Sequence, residues 1–504
     1  MIIKTNLDEI QSYLADAANY WGNCRAVYFP ETHDDIIEIV KEANSNKTEI
    51  TVAGNRTGLT GSGVPISGIV ISTEMLNRII EINKDKKYAI VQPGVLLSEL
   101  QSKVSAQGLL YPPDPTETNC FLGGTVATNA SGSKSFKYGA TRNFVQELKI
   151  ILPDSEELNL VRGENFANGN NLALKTESGK DIIIDLPNYK MPSTKNAAGY
   201  FCKPNMDAID LFIGAEGTLG IVSEIKIRLI DKPENILSAV IFFNDENNAL
   251  NFIDDLREQS LISRKQNITD NINALGLEFF DKHSLNFLKA DYPNIQKNAL
   301  AAVWIEHETN SANEQIIFEK IADRIKHHES LSETSWFALN QNDRENFKDF
   351  RHAVSWKVSE FIAKQNVQKV GTDSAVPANN FRSFYEYIKG LAIKSKIDYL
   401  IYGHFGDCHV HLNLLPKDQG EFQEAKDVYK LICQKAIDLN GTISAEHGIG
   451  KIKHEFLEMM YNEKTIKQMA EIKKVLDPNK ILGIGNIFDP KYLINDFENR
   501  NSGK

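Results

Sequence analysis

The chain has 504 residues, too many for a single hydrophobic core, so two or three domains are expected. Its 42% hydrophobic and 24% charged content describes an ordinary globular protein and excludes extended disorder away from the ends. The 56 basic residues against 67 acidic ones give a net charge of -11 with no Lys/Arg run to track a phosphate backbone, so nucleic acid is not an expected partner.

No apolar stretch approaches the roughly 20 residues that span a bilayer. The opening MIIKTNLDEIQSYL carries acids where a secretory signal has its apolar core. A cytoplasmic location is expected, with contact at the periphery of the inner membrane left open. Cys24, Cys120, Cys202, Cys408 and Cys433 are scattered without a CxxC pair, which excludes a cysteine-rich iron–sulfur or zinc-ribbon site and suggests a reducing compartment.

From Pro30 the sequence alternates a helical pattern, DDIIEIVKEAN, with the short apolar runs EITVAG, ISGIVIS and YAIVQPG, followed by helical LSELQSKVSAQG. QELKIILPDSEELNLVRGE predicts a hairpin around Pro153 and Asp154, and GIVSEIKIRLI another strand. After Leu229 the style changes. Strand-like LSAVIFF precedes a helix with its cap signal at Asn244, then come ALGLEFF, LAAVWIEHE and a helix near ANEQIIFEKIADRIKHH. A long helix is expected from Asp343 to Gln365, DYLIYGH as a buried strand, and helices through most of the remainder.

The stretch TVAGNRTGLTGSGVP, residues 51–65, follows an apolar strand, and its glycines fit either an anion-wrapping cradle or a glycine-rich turn. Neither GxGxxG before a helix nor GxxxxGK[ST] is present here, so a nicotinamide or P-loop nucleotide site is not supported. Three further stretches follow: PPDPTETNCFLGGTVATNASGSKSFKYGATRNFV, TKNAAGY and LFIGAEGTLGIVSEIKIRL.

In order and spacing these segments resemble the flavin domain of the vanillyl-alcohol oxidase superfamily, most closely its D-lactate, glycolate and D-2-hydroxyglutarate dehydrogenase branch. The resemblance implies an α+β fold: a two-subdomain PCMH-type FAD-binding domain over 1–230, an antiparallel cap (substrate) domain over 231–425 and a helical segment over 426–504 that returns to the flavin site. It implies FAD held by Gly54, Asn55, Arg56, Thr57, Gly58, Thr60 and Gly61 at the pyrophosphate. Pro113, Asp114, Thr116, Gly123, Gly124, Ala127, Thr128, Asn129, Gly132, Glu216, Gly220, Ile221 and Val222 would line the rest. The first loop departs from the family's RGGGTGLSGG at Ala53, Asn55 and Arg56. No histidine stands in it to attach a flavin, so non-covalent FAD is expected.

YGHFGDCHVHLNLLP places His404, His409 and His411 within eight residues, and GTISAEHGIGKIK adds Glu446 and His447. In a strand His409, His411 and Asn413 share a face with Asp407, whereas His404 has the opposite parity unless the intervening FGD forms a turn or bulge. Two imidazoles and a carboxylate suit zinc or manganese; satisfied histidines on a polar core strand are the alternative. The family's GHxGDGNxHxN and SAEHGIG imply His404, His411 and Glu446 as metal ligands, Asn413 as a substrate contact and His447 as the base. Cys408 and His409 replace the family's Gly-Asn. Cys408 is expected to be a small buried residue, while His409 is left open between a strand residue and a ligand or supporting group. Arg351, with Ser355 one turn later, resembles the family's substrate-carboxylate arginine. Gly371 stands where the D-2-hydroxyglutarate enzymes carry a lysine, which argues for a monocarboxylic substrate, although Lys369 lies two residues away.

The expected activity is oxidation of a D-lactate-like D-2-hydroxy acid, with electrons passing to a quinone, a cytochrome or an electron-transfer flavoprotein. A homodimer is left open. The alternatives are a D-2-hydroxyglutarate dehydrogenase, a non-redox alkylglycerone-phosphate synthase-like flavoenzyme and a flavin-binding electron-transfer subunit.

Overall fold

The computed structural model describes residues 1–365 and 369–494; the last ten residues of the expected carboxy-terminal segment lie outside the described residues. The first sheet grows from the alternating apolar runs. Ala26–Phe29, Ile69–Ser72 and Ile50–Ala53 lie side by side in parallel, and Ile2–Lys4 adds an antiparallel outer edge. Helix His33–Asn46 connects two of these strands, as parallel topology requires. It starts at a reciprocal capping box between Thr32 and Asp35 and buries Ile36, Ile39, Val40 and Ala43 against the sheet.

A second, wholly antiparallel sheet runs in the order Ile79–Asn83, Tyr88–Val91, Ile221–Arg228, Val145–Ile151, Glu157–Val161. The hairpin expected at Pro153 and Asp154 is its last pair, with Ser155 in the left-handed region at the turn (φ 67°). A further hairpin, Asn171–Lys175 with Asp181–Asp185, is a feature the sequence reading missed, although both strands alternate exposed and buried residues.

The cap sheet is antiparallel: Trp336–Phe337, Asn235–Phe243, Ala301–Thr309, Ala274–Asp281, Tyr399–Gly403, His409–Leu414 and Val370–Gly371, with Ser374–Ala375 also pairing to His409–Leu414. Its strands read as continuous apolar runs because both faces are covered. In Asn235–Phe243, Ala239, Ile241 and Phe243 face one core with helix Glu246–Gln266. Val240 and Phe242 face another, built on Phe350, Val354 and Val358 of helix Gln341–Gln365. The cap of helix Glu246–Gln266 is Asp245 rather than Asn244: its carboxylate accepts from the Asn247 amide at 2.7 Å.

Beyond helix Glu463–Leu476 the chain comes back to the first sheet. The Ile50 amide donates to the Ile481 carbonyl at 2.6 Å, Gly483 donates to Ile50 at 2.8 Å, and Ile481 and Leu482 join the core beneath His33–Asn46. This return places the 444–453 segment against the glycine loop, where the Lys451 ammonium donates to the Gly61 carbonyl at 3.1 Å. Among the described residues, no helix is long and apolar enough to cross a membrane.

Candidate active site

Between the amino-terminal glycine loops and the antiparallel sheet that contains His409–Leu414, a cavity of about 560 Å³ opens. Gly54, Asn55, Arg56, Thr57, Gly58 and Thr60 line it from the first loop; Thr116, Gly123, Gly124, Ala127 and Thr128 from the second; and Glu216, Gly220, Ile221 and Val222 from the third. The fit to a large flat cofactor is testable on the glycines. A Cβ at Gly58 or Gly124 would meet nothing within 4 Å, so both residues keep chamber space open, whereas one at Gly123 would come within 2.6 Å of Pro93. Gly123 serves close packing and Gly124 serves room for a ligand.

Five residues of the expected cofactor set stand behind this lining. The Gly61 amide donates to Asp16 at 2.7 Å, and Pro113 precedes Asp114, whose carboxylate pairs with Lys134 at 2.9 Å. Asn129 accepts from the Arg142 amide at 3.0 Å, and Gly132 packs so tightly on the Asp114 carbonyl that a Cβ would fall 1.9 Å away. Glu216 reaches the lining, yet its carboxylate accepts from the Ile449 and Gly450 amides, each at 2.7 Å, and from Ser62, clasping the carboxy-terminal segment to the loop.

On the cap side, Phe405–Asp407 forms a 3₁₀ turn and Cys408 takes a left-handed conformation (φ 56°), buried. This turn brings His404 round to the side of His411. Potential ligand atoms of His404, His409, His411 and Glu446 all lie within 4.8 Å of one another. His404 Nε2 is 3.3 Å from Glu446 Oε1, close to the spacing of about 3.3–3.5 Å between two ligands of a tetrahedral zinc. The other nitrogens of His404 and His411 are anchored: His404 Nδ1 donates to Glu278 at 2.8 Å and His411 Nδ1 to the Thr372 carbonyl at 3.1 Å. Lys195 and Ser131, the latter at 3.0 Å, hold the Glu446 carboxylate. This N/O donor set fits a divalent ion.

His447 stacks beside His411 at 5.7 Å between centroids, with Nδ1 3.3 Å from Asp373 Oδ2. Burial pushes the His447 imidazole down to about 4 against the pull of Asp373, so it is neutral at pH 7 with Nε2 turned away from Asp373. Asp373 is fully buried and takes hydrogen bonds from the His447 amide at 2.9 Å, Ser444 Oγ at 2.7 Å and Lys453 at 3.0 Å. Burial alone would raise its carboxyl, but the charge of Lys453 holds it well below the ordinary range.

Arg351 and Ser355 line the cavity from helix Gln341–Gln365, and Asn413 lines it from the strand. Arg351 already shares its charge with Glu278 at 3.1 Å and reaches Thr116 across the cavity at 3.4 Å. Lys369 lines the same space, and burial pushes it down to about 8; it has no carboxylate partner among the described residues. Sequence reasoning assigned no role to Glu278, Lys195 or Asp373. A lone acid in apolar ALGLEFF was the available signal for Glu278, and TKNAAGY and GTDSAVP carried the other two.

With this geometry in view, a family model described as FAD linked oxidases, C-terminal domain, matches residues 232–487, and an FAD binding domain model matches 24–160. The chain is 29% identical to a D-lactate dehydrogenase of Anaerostipes hadrus, covering 95% of this chain and 93% of that one. It is 28% identical to a D-2-hydroxyglutarate dehydrogenase of Stutzerimonas stutzeri, covering 96% of each. The fold matches a crystal structure of p-cresol methylhydroxylase with substrate bound, with a TM-score of 0.71 at 14% identity over 98% of this chain and 95% of that one. The larger family match spans just over half of the residues, and the chain belongs to the family of FAD-linked oxidases.

Proposed function

We propose that this FAD-linked oxidoreductase oxidises a D-2-hydroxy acid, D-lactate-like in class, to the 2-oxo acid with the help of a divalent ion, zinc or manganese. One observation carries the reading: a neutral imidazole, a clustered N/O donor set and cationic side chains share one chamber with the glycine-lined wall. When bound, a flavin supplies the hydride acceptor for C2, and a divalent ion on His404, His411 and Glu446 supplies a Lewis acid for the α-oxygens.

The protein's own work is positioning and proton transfer. His447, its Nδ1 side fixed by Asp373, takes the hydroxyl proton at Nε2. Arg351 and Asn413 orient the carboxylate so that C2 faces the glycine wall, with Ser355 beside them. The glycine loop contains no histidine, which supports non-covalent FAD. The electron acceptor is proposed to be a quinone, a cytochrome or an electron-transfer flavoprotein.

A second reading, a dicarboxylic substrate of the D-2-hydroxyglutarate type, is favoured by Lys369. Its Cε lies 3.4 Å from where a Cβ at Gly371 would stand, so a half-buried cation occupies the neighbourhood of the missing lysine. An anaerobic panel of D- and L-2-hydroxy acids, followed by flavin absorbance in wild type and Lys369→Met, tests both. Bleaching by D-lactate that is indifferent to Lys369→Met supports the first reading. A KM for D-2-hydroxyglutarate raised about 10- to 100-fold in the variant, the size of a lost charged hydrogen bond, supports the second. No bleaching by any 2-hydroxy acid sinks both and returns the non-redox alternative.

A further inference from the structure

We infer that His409 is a ligand of the same ion, so that three imidazoles and one carboxylate hold it; this rests on the metal-assisted reading above. His409 is fully buried, and neither ring nitrogen completes a hydrogen bond. A buried imidazole is rarely left so, because its polar atoms have given up water without replacement. Its ring stands 4.3 Å from His411 and 5.2 Å from His404 between centroids, inside the cluster rather than beside it.

Position and orientation both follow from the chain. After the left-handed Cys408 the strand resumes at His409, so His409 and His411 project to one side. Nε2 of His409 lies 3.0 Å from Asp373 Oδ1, off a hydrogen-bonding line. A carboxylate on the far nitrogen is how a ligating imidazole is oriented, and it leaves Nδ1 for the ion. Asp373 can serve only one side of the ring: Oδ1, which also takes the Glu446 amide at 3.2 Å, faces Nε2, and Nδ1 is left buried without a partner.

Coordination number is the consequence. Four protein ligands would fill the positions of a tetrahedral zinc, so a hydroxy acid that also bound the ion would raise its coordination number above four. A set of this kind accepts an ion that tolerates more than four ligands.

The test uses the full-length, FAD-loaded protein, stripped of metal with a chelator and titrated with Zn²⁺ in competition with a chromophoric chelator. Wild type should bind one ion per chain. His409→Asn should weaken Zn²⁺ binding by at least about 100-fold, the top of the range for a merely supporting residue, with FAD content unchanged. X-ray absorption of the Zn²⁺-loaded wild type should count three imidazoles and decides the matter even where the variant fails to fold. Two imidazoles, or His409→Asn affinity within about threefold of wild type, overturns the role of His409 while leaving the ion in place. A wild type that takes up no ion overturns the metal-assisted reading as well.

Discussion

The wall of the chamber built by the glycine loops is rich in glycines and threonines, with Gly58 and Gly124 opening onto empty space, whereas the facing wall packs Arg351, Glu278, His404, Lys369 and His447 around the same cavity. The first recognises by shape and backbone, and what damages it is added volume. The second recognises by charge, and what damages it is a missing partner. On the function proposed above, that distinction divides the tasks: one wall would hold a large ligand without chemistry, and the other would do the chemistry on a small one.

The largest expected effect is on the cap side. His447→Ala should lower the rate of flavin reduction by about 10³-fold, within the span of a general base, while FAD stays bound. Anaerobic stopped-flow with the preferred hydroxy acid measures the first and absorbance after desalting the second. If FAD is lost along with activity, the two walls are not separable in the way proposed.

Gly124→Val is the complementary break. Its side chain enters open space, so the chain should fold, but the FAD affinity should fall by about 10- to 100-fold, the cost of forcing volume into a fitted site. The FAD-to-protein ratio and far-UV circular dichroism check this together. Full FAD content in the variant would mean that the wall at Gly124 does not touch the cofactor.

These two walls were unequally legible in the sequence. Glycine motifs announce themselves because a close approach to backbone leaves few substitutes, so most of the residues named for that wall do line it. The exceptions, such as Asp114 and Gly132, belong to the same motifs but are taken up by internal packing and pairing, and a motif does not say which of its residues lines the cavity. On the cap side the histidines and Glu446 were visible as local clusters. Glu278 was not, because its partner His404 lies 126 positions away and only the sheet brings them together. His409 was ambiguous for a related reason: strand parity put it beside His411, but only the fold, which sets Asp373 against Nε2 and leaves Nδ1 buried without a partner, separates the two readings.

The cap also contains its own contrast, along the single strand Ala274–Asp281. Glu278 is matched by His404 and Arg351, but Asp281, three residues on, is buried with no cationic partner at hydrogen-bond distance among the described residues; its Oδ1 takes the Ser284 amide at 2.7 Å. Burial, reinforced by the like charge of Glu246, pushes the Asp281 carboxyl up to about 7. The unfolded chain releases that proton near pH 4, whereas the folded protein keeps it to about pH 7. The protonated carboxyl therefore contributes stability that is complete below about pH 4 and lost as the pH rises through 7. Asp281→Asn preserves the helix cap without the ionisation, so it should melt about 2–4 °C above wild type at pH 8, a difference that closes as the pH falls towards 4. Scanning calorimetry at the two pH values measures it, and an equal shift at both would show that Asp281 acts through packing alone.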